Sequence, residues 1–195
     1  MARVILASAS PRRRQLLREA GIEFEVHVSG VDESHDHSSE PEAVAEELAR
    51  RKAMSVAESF RGQDALCLGA DTVVAIPTEE GWRYLGKPAD AQEARSMLSL
   101  LSGTRHAVVT GVCVIRCVDQ EPYGGSERTT VVMRTISEEE IEAYVESCEW
   151  EDKAGGYAIQ ESADAFVIGL EGGGFDNVVG LPVDLAKRLL EAAGG

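Results

Sequence analysis

Cysteine is sparse and unpatterned in this chain of 195 residues. Cys67, Cys113, Cys117 and Cys148 form no C-x-x-C pair and have no zinc-type spacing with histidine. Three of them lie in apolar runs and read as reduced core residues. No apolar run approaches the length of a membrane span, and no secretory apolar region is visible, so a cytoplasmic enzyme or binding protein is expected. Positive charge is also scarce: 19 Lys and Arg stand against 34 Asp and Glu, a formal net charge of −15. A nucleic-acid polymer or an anionic membrane would be repelled, which excludes both as partners. Internal repeats, low-complexity linkers and a clear domain boundary are missing as well. With 44% hydrophobic and 27% charged residues, the composition is that of an ordinary globular domain long enough for one packed core, with two small lobes possible.

Against this acidic background one basic turn stands out. Val4-Ile5-Leu6 reads as a short buried strand, and Ser8 and Ser10 are small hydroxyl residues after it. Ser10 suits a helix N-cap and Pro11 the first helical position, whose amide is unpaired in any case. Leu16, Leu17 and Ala20 give the helix an apolar side. Such a junction points backbone N–H groups outward as an anion site, and Arg12, Arg13 and Arg14 stand on it. Two readings remain open for the arginines: a phosphate-binding fork, or a solvated helix face.

Pro41 opens a helix to about Phe60. At roughly 100° per residue, Val44, Ala45, Leu48, Ala49, Ala53 and Val56 form an apolar arc with Lys52 inside it. A lysine there must snorkel to water or meet an anion. The near-continuous apolar run from Ala65 to Ile76 marks a strand buried on both faces, with Asp71 in its middle. A carboxylate in that setting is costly unless paired, protonated or bound to metal. An ion pair competes with a catalytic or metal-binding role, and Asp71 is the strongest chemical signal in the chain. Glu79-Glu80-Gly81 reads as a hairpin turn and Trp82–Leu85 as the returning strand. Pro88 then leaves Lys87 at a strand end, without the glycine spacing of a P-loop.

Elsewhere the pattern predicts structure more than chemistry. Phe24–Val28 alternates as a half-buried strand running toward Glu33, a strand-end carboxylate suited to a cation. His35-Asp36-His37 sits among serines and reads as a solvated loop rather than a metal site. Residues 91–101 form a helix, and 106–115 a buried strand that pairs with 129–136 across a polar loop at 119–126. His106 reads as structural. Ser137-Glu138-Glu139-Glu140 is a capping box, residues 166–168 resume a strand, and a last amphipathic helix spans about 181–193. Gln160, after the paired glycines Gly155 and Gly156, has the donor and acceptor to read a base edge, or is simply a solvated amide.

Taken in order, these stretches resemble the Maf family of nucleoside triphosphate pyrophosphatases. The matching segments are Leu6–Arg13, Gly69–Val74, Gly86-Lys87-Pro88, Thr110-Gly111-Val112, Asp152–Gln160 and Asn177–Pro182, spread over nearly the whole chain. The resemblance implies one Maf-like domain over 1–195. Its fold would be α/β, a mixed β-sheet with flanking helices and two lobes around a deep cleft, related to inosine triphosphatase-like enzymes. It implies hydrolysis of a nucleoside triphosphate to the monophosphate and pyrophosphate, with a divalent cation, Mg²⁺ or Mn²⁺. Asp71 matches the proton acceptor, and Glu33 with Asp71 would serve the metal. Ser8, Arg13, Lys52 and Lys87 match substrate-holding positions. Arg12, Thr72 and Gln160 match the markers of the branch acting on dTTP and UTP; a sister branch prefers 7-methyl-GTP. Glu161, where glycine is usual, and the apolar Ala107 and Val109 depart from the pattern and bear on fine substrate preference. A homodimer is implied too. The competing class is a non-catalytic nucleotide-binding regulator of cell division.

Overall fold

In the computed structural model, which describes residues 2–194, β1 (Arg3–Leu6) runs directly into α1 (Pro11–Glu19). Ser10 caps this helix by accepting a hydrogen bond from the Arg13 amide, and Pro11 occupies its first turn as the sequence predicts. The chain continues through β2 (Glu25–Val26), α2 (Pro41–Ala57), β3 (Ala65–Thr78), β4 (Gly81–Leu85) and α3 (Ala91–Leu101). β5 (Arg105–Arg116), β6 (Glu121–Met133), α4 (Glu138–Glu146), β7 (Val167–Glu171), α5 (Phe175–Val179) and α6 (Val183–Ala192) complete it. The strands make one mixed seven-stranded sheet in the order β2-β1-β3-β5-β6-β7, with β4 also on β3. β1 is parallel to both β2 and β3; the remaining pairs are antiparallel. No helix among the described residues is long and apolar enough to cross a membrane.

Two features of β3 position everything that follows. Along one edge, β1 pairs with residues 65–68 and β4 with residues 74–78, so positions 69–73 have no strand neighbour there. Asp71 is the centre of that gap, and β5 supports the same residues from the other edge, with Gly111 opposite Asp71. Alternation along the strand then sends Cys67 and its same-face neighbours toward α2, and Leu66, Leu68 and Ala70 toward α1 and α6. Helix α2 lies unusually close to the sheet because glycine leaves room for its backbone. A Cβ on Gly69 would meet the Ala49 carbonyl oxygen at 2.5 Å, and one on Gly111 the Ala45 carbonyl oxygen at 2.2 Å. Ala45, Ala49 and Ala53 form the facing side of the helix, and Lys52 lies beside them.

The structure departs from the sequence expectations in four places. The strand expected over 24–28 shrinks to Glu25–Val26, both exposed, because it is a sheet edge whose only partner among the described residues is the short β1. Glu33 therefore stands in an irregular segment and not at a strand end. The polar loop expected at 119–126 is mostly strand: β6 begins at Glu121, and the connection narrows to residues 117–120, with Gln120 in the left-handed region at φ 63°. Pro122, Gly124 and Gly125 are poor strand formers, but the long antiparallel ladder with β5 overrides their preference. After the triple glycine the short helix α5 forms, which the sequence pattern did not show. The capping box at Ser137 and the helix over 91–101 are as expected.

Candidate active site

The gap on β3 opens into a cavity of about 590 Å³. Ser8, Arg12, Arg13, Glu33, Lys52, Asp71, Thr72, Lys87 and Gln160 all line it, so the structure brings together every candidate site residue named from the sequence. Five cationic side chains (Arg12, Arg13, Lys52, Lys87 and Lys153) face it, with three carboxylates, Glu33, Asp71 and Asp152. A chain with a net charge of −15 thus keeps a cavity whose lining is positive on balance.

At its centre Lys52 and Asp71, each almost wholly buried, form an ion pair through Asp71 Oδ1. The Lys52 ammonium also donates to Glu33 Oε1 at 2.6 Å. Both readings of the sequence therefore hold part of the answer: Asp71 is in an ion pair, and that pair faces the cavity. Lys52 does not snorkel to water; it bridges two carboxylates from different segments. Burial pushes the Glu33 carboxyl up, but the hydrogen bond and charge of Lys52, with Lys87 and Arg13 further off, hold it below its usual value. Asp71 Oδ2 makes no hydrogen bond among the described residues.

Arg13 is held from three directions. Its Nε donates to the Gly180 carbonyl at 2.8 Å, one terminal nitrogen to Ser8 Oγ at 3.3 Å, and the other to Thr72 Oγ1 at 3.2 Å. Burial lowers its pKa, with Asp71 opposing. The chain of bonds continues inward. Thr72 Oγ1 and Thr110 Oγ1 are 2.9 Å apart, and Thr110 Oγ1 donates to the Asn177 carbonyl at 2.8 Å. Thr110 has one proton, so Thr72 donates to Thr110 and accepts from Arg13. Fully buried Asn177 anchors the chain, accepting from the Thr110 amide and donating to Val108 O and Thr129 Oγ1. Of the three arginines, Arg14 turns back to the Ala9 carbonyl, and Arg12 alone makes no side-chain hydrogen bond or ion pair among the described residues. Lys87 and Gln160 are unpartnered in the same way, which leaves their donors free toward the cavity.

Four participants escaped the sequence reading of the site. Lys153 is buried, donates to the Glu149 carbonyl and pairs with Glu161 at 3.1 Å, which gives the unusual Glu161 a partner. Its signal lay in the charged stretch before the paired glycines, but no periodicity marked it as inward. Tyr84 and His35 line the mouth, and the Tyr84 hydroxyl donates to the Ser39 carbonyl at 2.6 Å. Asn177 was visible only as part of a segment. The rings of His35 and His37 lie 4.7 Å apart and tilted by 51°, in the loop expected of them. Among the described residues no group of three or more His, Cys, Asp or Glu side chains is placed to hold a metal ion. Glu33 and Asp71 share an ammonium, so their oxygens can approach one cation. That set suits Mg²⁺, which takes one or two protein carboxylates and completes its shell with water and substrate oxygens.

The family model described as Maf-like protein matches residues 3–193. Proteins named dTTP/UTP pyrophosphatase are similar along nearly their whole length. The one from Pelotomaculum thermopropionicum is 44% identical over 194 residues, covering 100% of this chain and 98% of that protein. The one from Alkaliphilus oremlandii is 46% identical over 183 residues, covering 94% and 92%. The one from Bacillus cereus is 44% identical over 191 residues, covering 98% and 95%.

Proposed function

The chain belongs to the Maf family, and from that premise we propose that it hydrolyses dTTP and UTP to the monophosphate and pyrophosphate. The observation that carries this reading is the buried carboxylate in the strand gap, ringed by cations in an otherwise acidic protein. A triphosphate carries its charge in one compact chain, which fits a small positive cavity as a long polyanion would not. The name shared by relatives at 44–46% identity supports the pyrimidine substrates.

Each side chain has a task in this reaction. Arg13, already oriented by Ser8, Thr72 and Gly180, presents a fixed guanidinium to the phosphates. Lys52, Lys87 and Arg12 neutralise the charge that collects on the departing pyrophosphate. Asp71 takes a proton from the attacking water on Oδ2, the oxygen that Lys52 leaves free, as the water adds to the α-phosphorus. Gln160, with an amide free to donate and accept, reads the base. Mg²⁺ or Mn²⁺, held by Glu33 and Asp71, would supply further neutralisation of the phosphate oxygens. The chain works as a single Maf-like domain with the cleft between two lobes and as a homodimer, points the family resemblance supports; it works in the cytoplasm, which the lack of a membrane-length apolar run supports.

The experiment is a substrate panel: dTTP, UTP, CTP and 7-methyl-GTP with Mg²⁺ or Mn²⁺, scoring monophosphate and pyrophosphate release. Turnover of dTTP and UTP above the others is expected. Preference for 7-methyl-GTP would reassign the base, and tight binding of every nucleotide without release would make the protein a nucleotide-binding regulator instead.

A further inference from the structure

The two carboxylates best placed for a cation are occupied by the protein's own ammonium. Lys52 lies between Glu33 Oε1 and Asp71 Oδ1, almost wholly buried and fixed by the close packing of α2 on Gly69 and Gly111. A divalent ion arriving alone would have to displace that ammonium. It would also enter a cavity faced by Arg12, Arg13, Lys87 and Lys153. Two shared carboxylates offer little against such a field, since Mg²⁺ sheds water reluctantly and both Mg²⁺ and Mn²⁺ take an octahedral shell of oxygen donors. A triphosphate reverses the balance. It brings oxygen donors and negative charge together, and its phosphates give the ammonium a second set of acceptors.

We propose that Lys52 keeps free divalent cations off the Glu33–Asp71 pair, so that the substrate is the cation–triphosphate complex and not a nucleotide added to a resident metal. Lys52 then has two stations: on the carboxylates in the nucleotide-free protein, and on the phosphates once the complex is seated. This rests on the function proposed above, because it takes the nucleotide as the anion that moves Lys52.

Mn²⁺ titrated into nucleotide-free protein, followed by loss of the free-ion paramagnetic resonance signal, tests the exclusion. The wild type is expected to bind no Mn²⁺ up to about 1 mM, at the weak end of carboxylate sites. Lys52→Met is expected to bind it at least about tenfold tighter, and Lys52→Arg, which keeps the charge, as weakly as the wild type. Adding a dTTP analogue with nitrogen bridging the α- and β-phosphorus should then give the wild type a ternary complex. It would be detected as water-proton relaxation enhancement beyond that of the Mn²⁺–analogue pair. Tight Mn²⁺ binding by nucleotide-free wild type, or no gain in Lys52→Met, overturns the proposal. So does the lack of a ternary signal. If Lys52→Met fails to fold by thermal melt, the wild-type titration decides alone. Turnover of dTTP measured in parallel separates the two claims. Hydrolysis together with tight Mn²⁺ binding by the free protein sinks the exclusion only, whereas exclusion without hydrolysis sinks the enzymatic reading.

Discussion

The two sides of the cleft are held by different means. On one side Arg13 is the outer end of a relay through Thr72 and Thr110 to Asn177. Its inner members are fully buried, and its hydroxyls and amide are hydrogen-bonded. On the other side Glu33 rides on the irregular segment before α2, tied by contacts near the surface. Arg51 donates to the Ser34 carbonyl at 2.8 Å, Tyr84 to the Ser39 carbonyl, and Trp82 Nε1 to Glu40 at 2.8 Å. A buried relay is set once the sheet forms, because any member left unpaired would cost its full desolvation. A surface-tied segment opens at lower free energy and can follow a ligand. The cleft therefore pairs a fixed cation with an adjustable carboxylate, and Asp71 and Lys52 stand where the sides meet.

Substitution at that meeting point should have the largest effect. Asp71→Asn removes the proposed proton acceptor while keeping its shape, so kcat for dTTP should fall by about 10²- to 10⁴-fold, the usual contribution of general base catalysis. The melting curve should change far less, because Glu33 still pairs with Lys52. Full activity in this variant would move the chemistry to another group.

The buried interior of the sheet should also show itself in acid. His106, fully buried with Nε2 2.8 Å from the Tyr157 hydroxyl, has its pKa pushed down to about 4 by burial. The unfolded chain binds that proton below about pH 6.5 and the folded chain does not. Stability is therefore lost as pH falls from about 6.5 to about 4, by about 3 kcal/mol in all from this residue. Urea denaturation of wild type and His106→Gln at pH 7 and pH 4 measures it; the variant should be flatter with pH. Equal slopes would mean His106 is protonated in the fold.

How much of this was legible in the sequence follows the same division. Residues on regular elements could be read: Ser10 and Pro11 from capping chemistry, Lys52 from its place in an apolar arc, Asp71 from its place in an apolar run. Each announces itself by breaking or completing a local period. Their juxtaposition could not be read that way, since it depends on Gly69 and Gly111 admitting α2 to the sheet. Asn177 gave no local sign, because its bonds reach residues 48 to 69 positions away. Glu33 was found as a carboxylate at an expected strand end, a role the family resemblance repeated, yet its setting was misread, because an edge strand supported on one side ends early. Pro122 and the glycines of β6 hid a strand whose partner overrides its composition.

Asn177→Ala removes the buried side chain that anchors the relay and keeps only the backbone carbonyl that accepts from Thr110 Oγ1. It leaves the Thr110 amide without its acceptor and Thr129 without its donor, which should cost about 2 kcal/mol in urea denaturation. With the Thr110 amide no longer held, the Thr72–Thr110 brace on Arg13 should loosen and phosphate bind less well, so KM for dTTP should rise more than kcat falls. An unchanged KM in a destabilised protein would show that the relay serves the fold alone.

The smallest effect belongs to the adjustable side, and it is the sharpest test of the contrast. Tyr84→Phe removes only the hydroxyl that holds the Ser39 carbonyl, at the partly exposed mouth where water can replace it. The cost to global stability should be at most about 1 kcal/mol. Amide exchange over residues 33–40 should nevertheless quicken, because that tie closes the segment onto β4. If nucleotide seating draws the segment inward, saturation with the non-hydrolysed dTTP analogue should restore slow exchange in the variant. If the segment were as rigid as the Asn177 relay, exchange would stay slow without nucleotide and the two sides of the cleft would be alike.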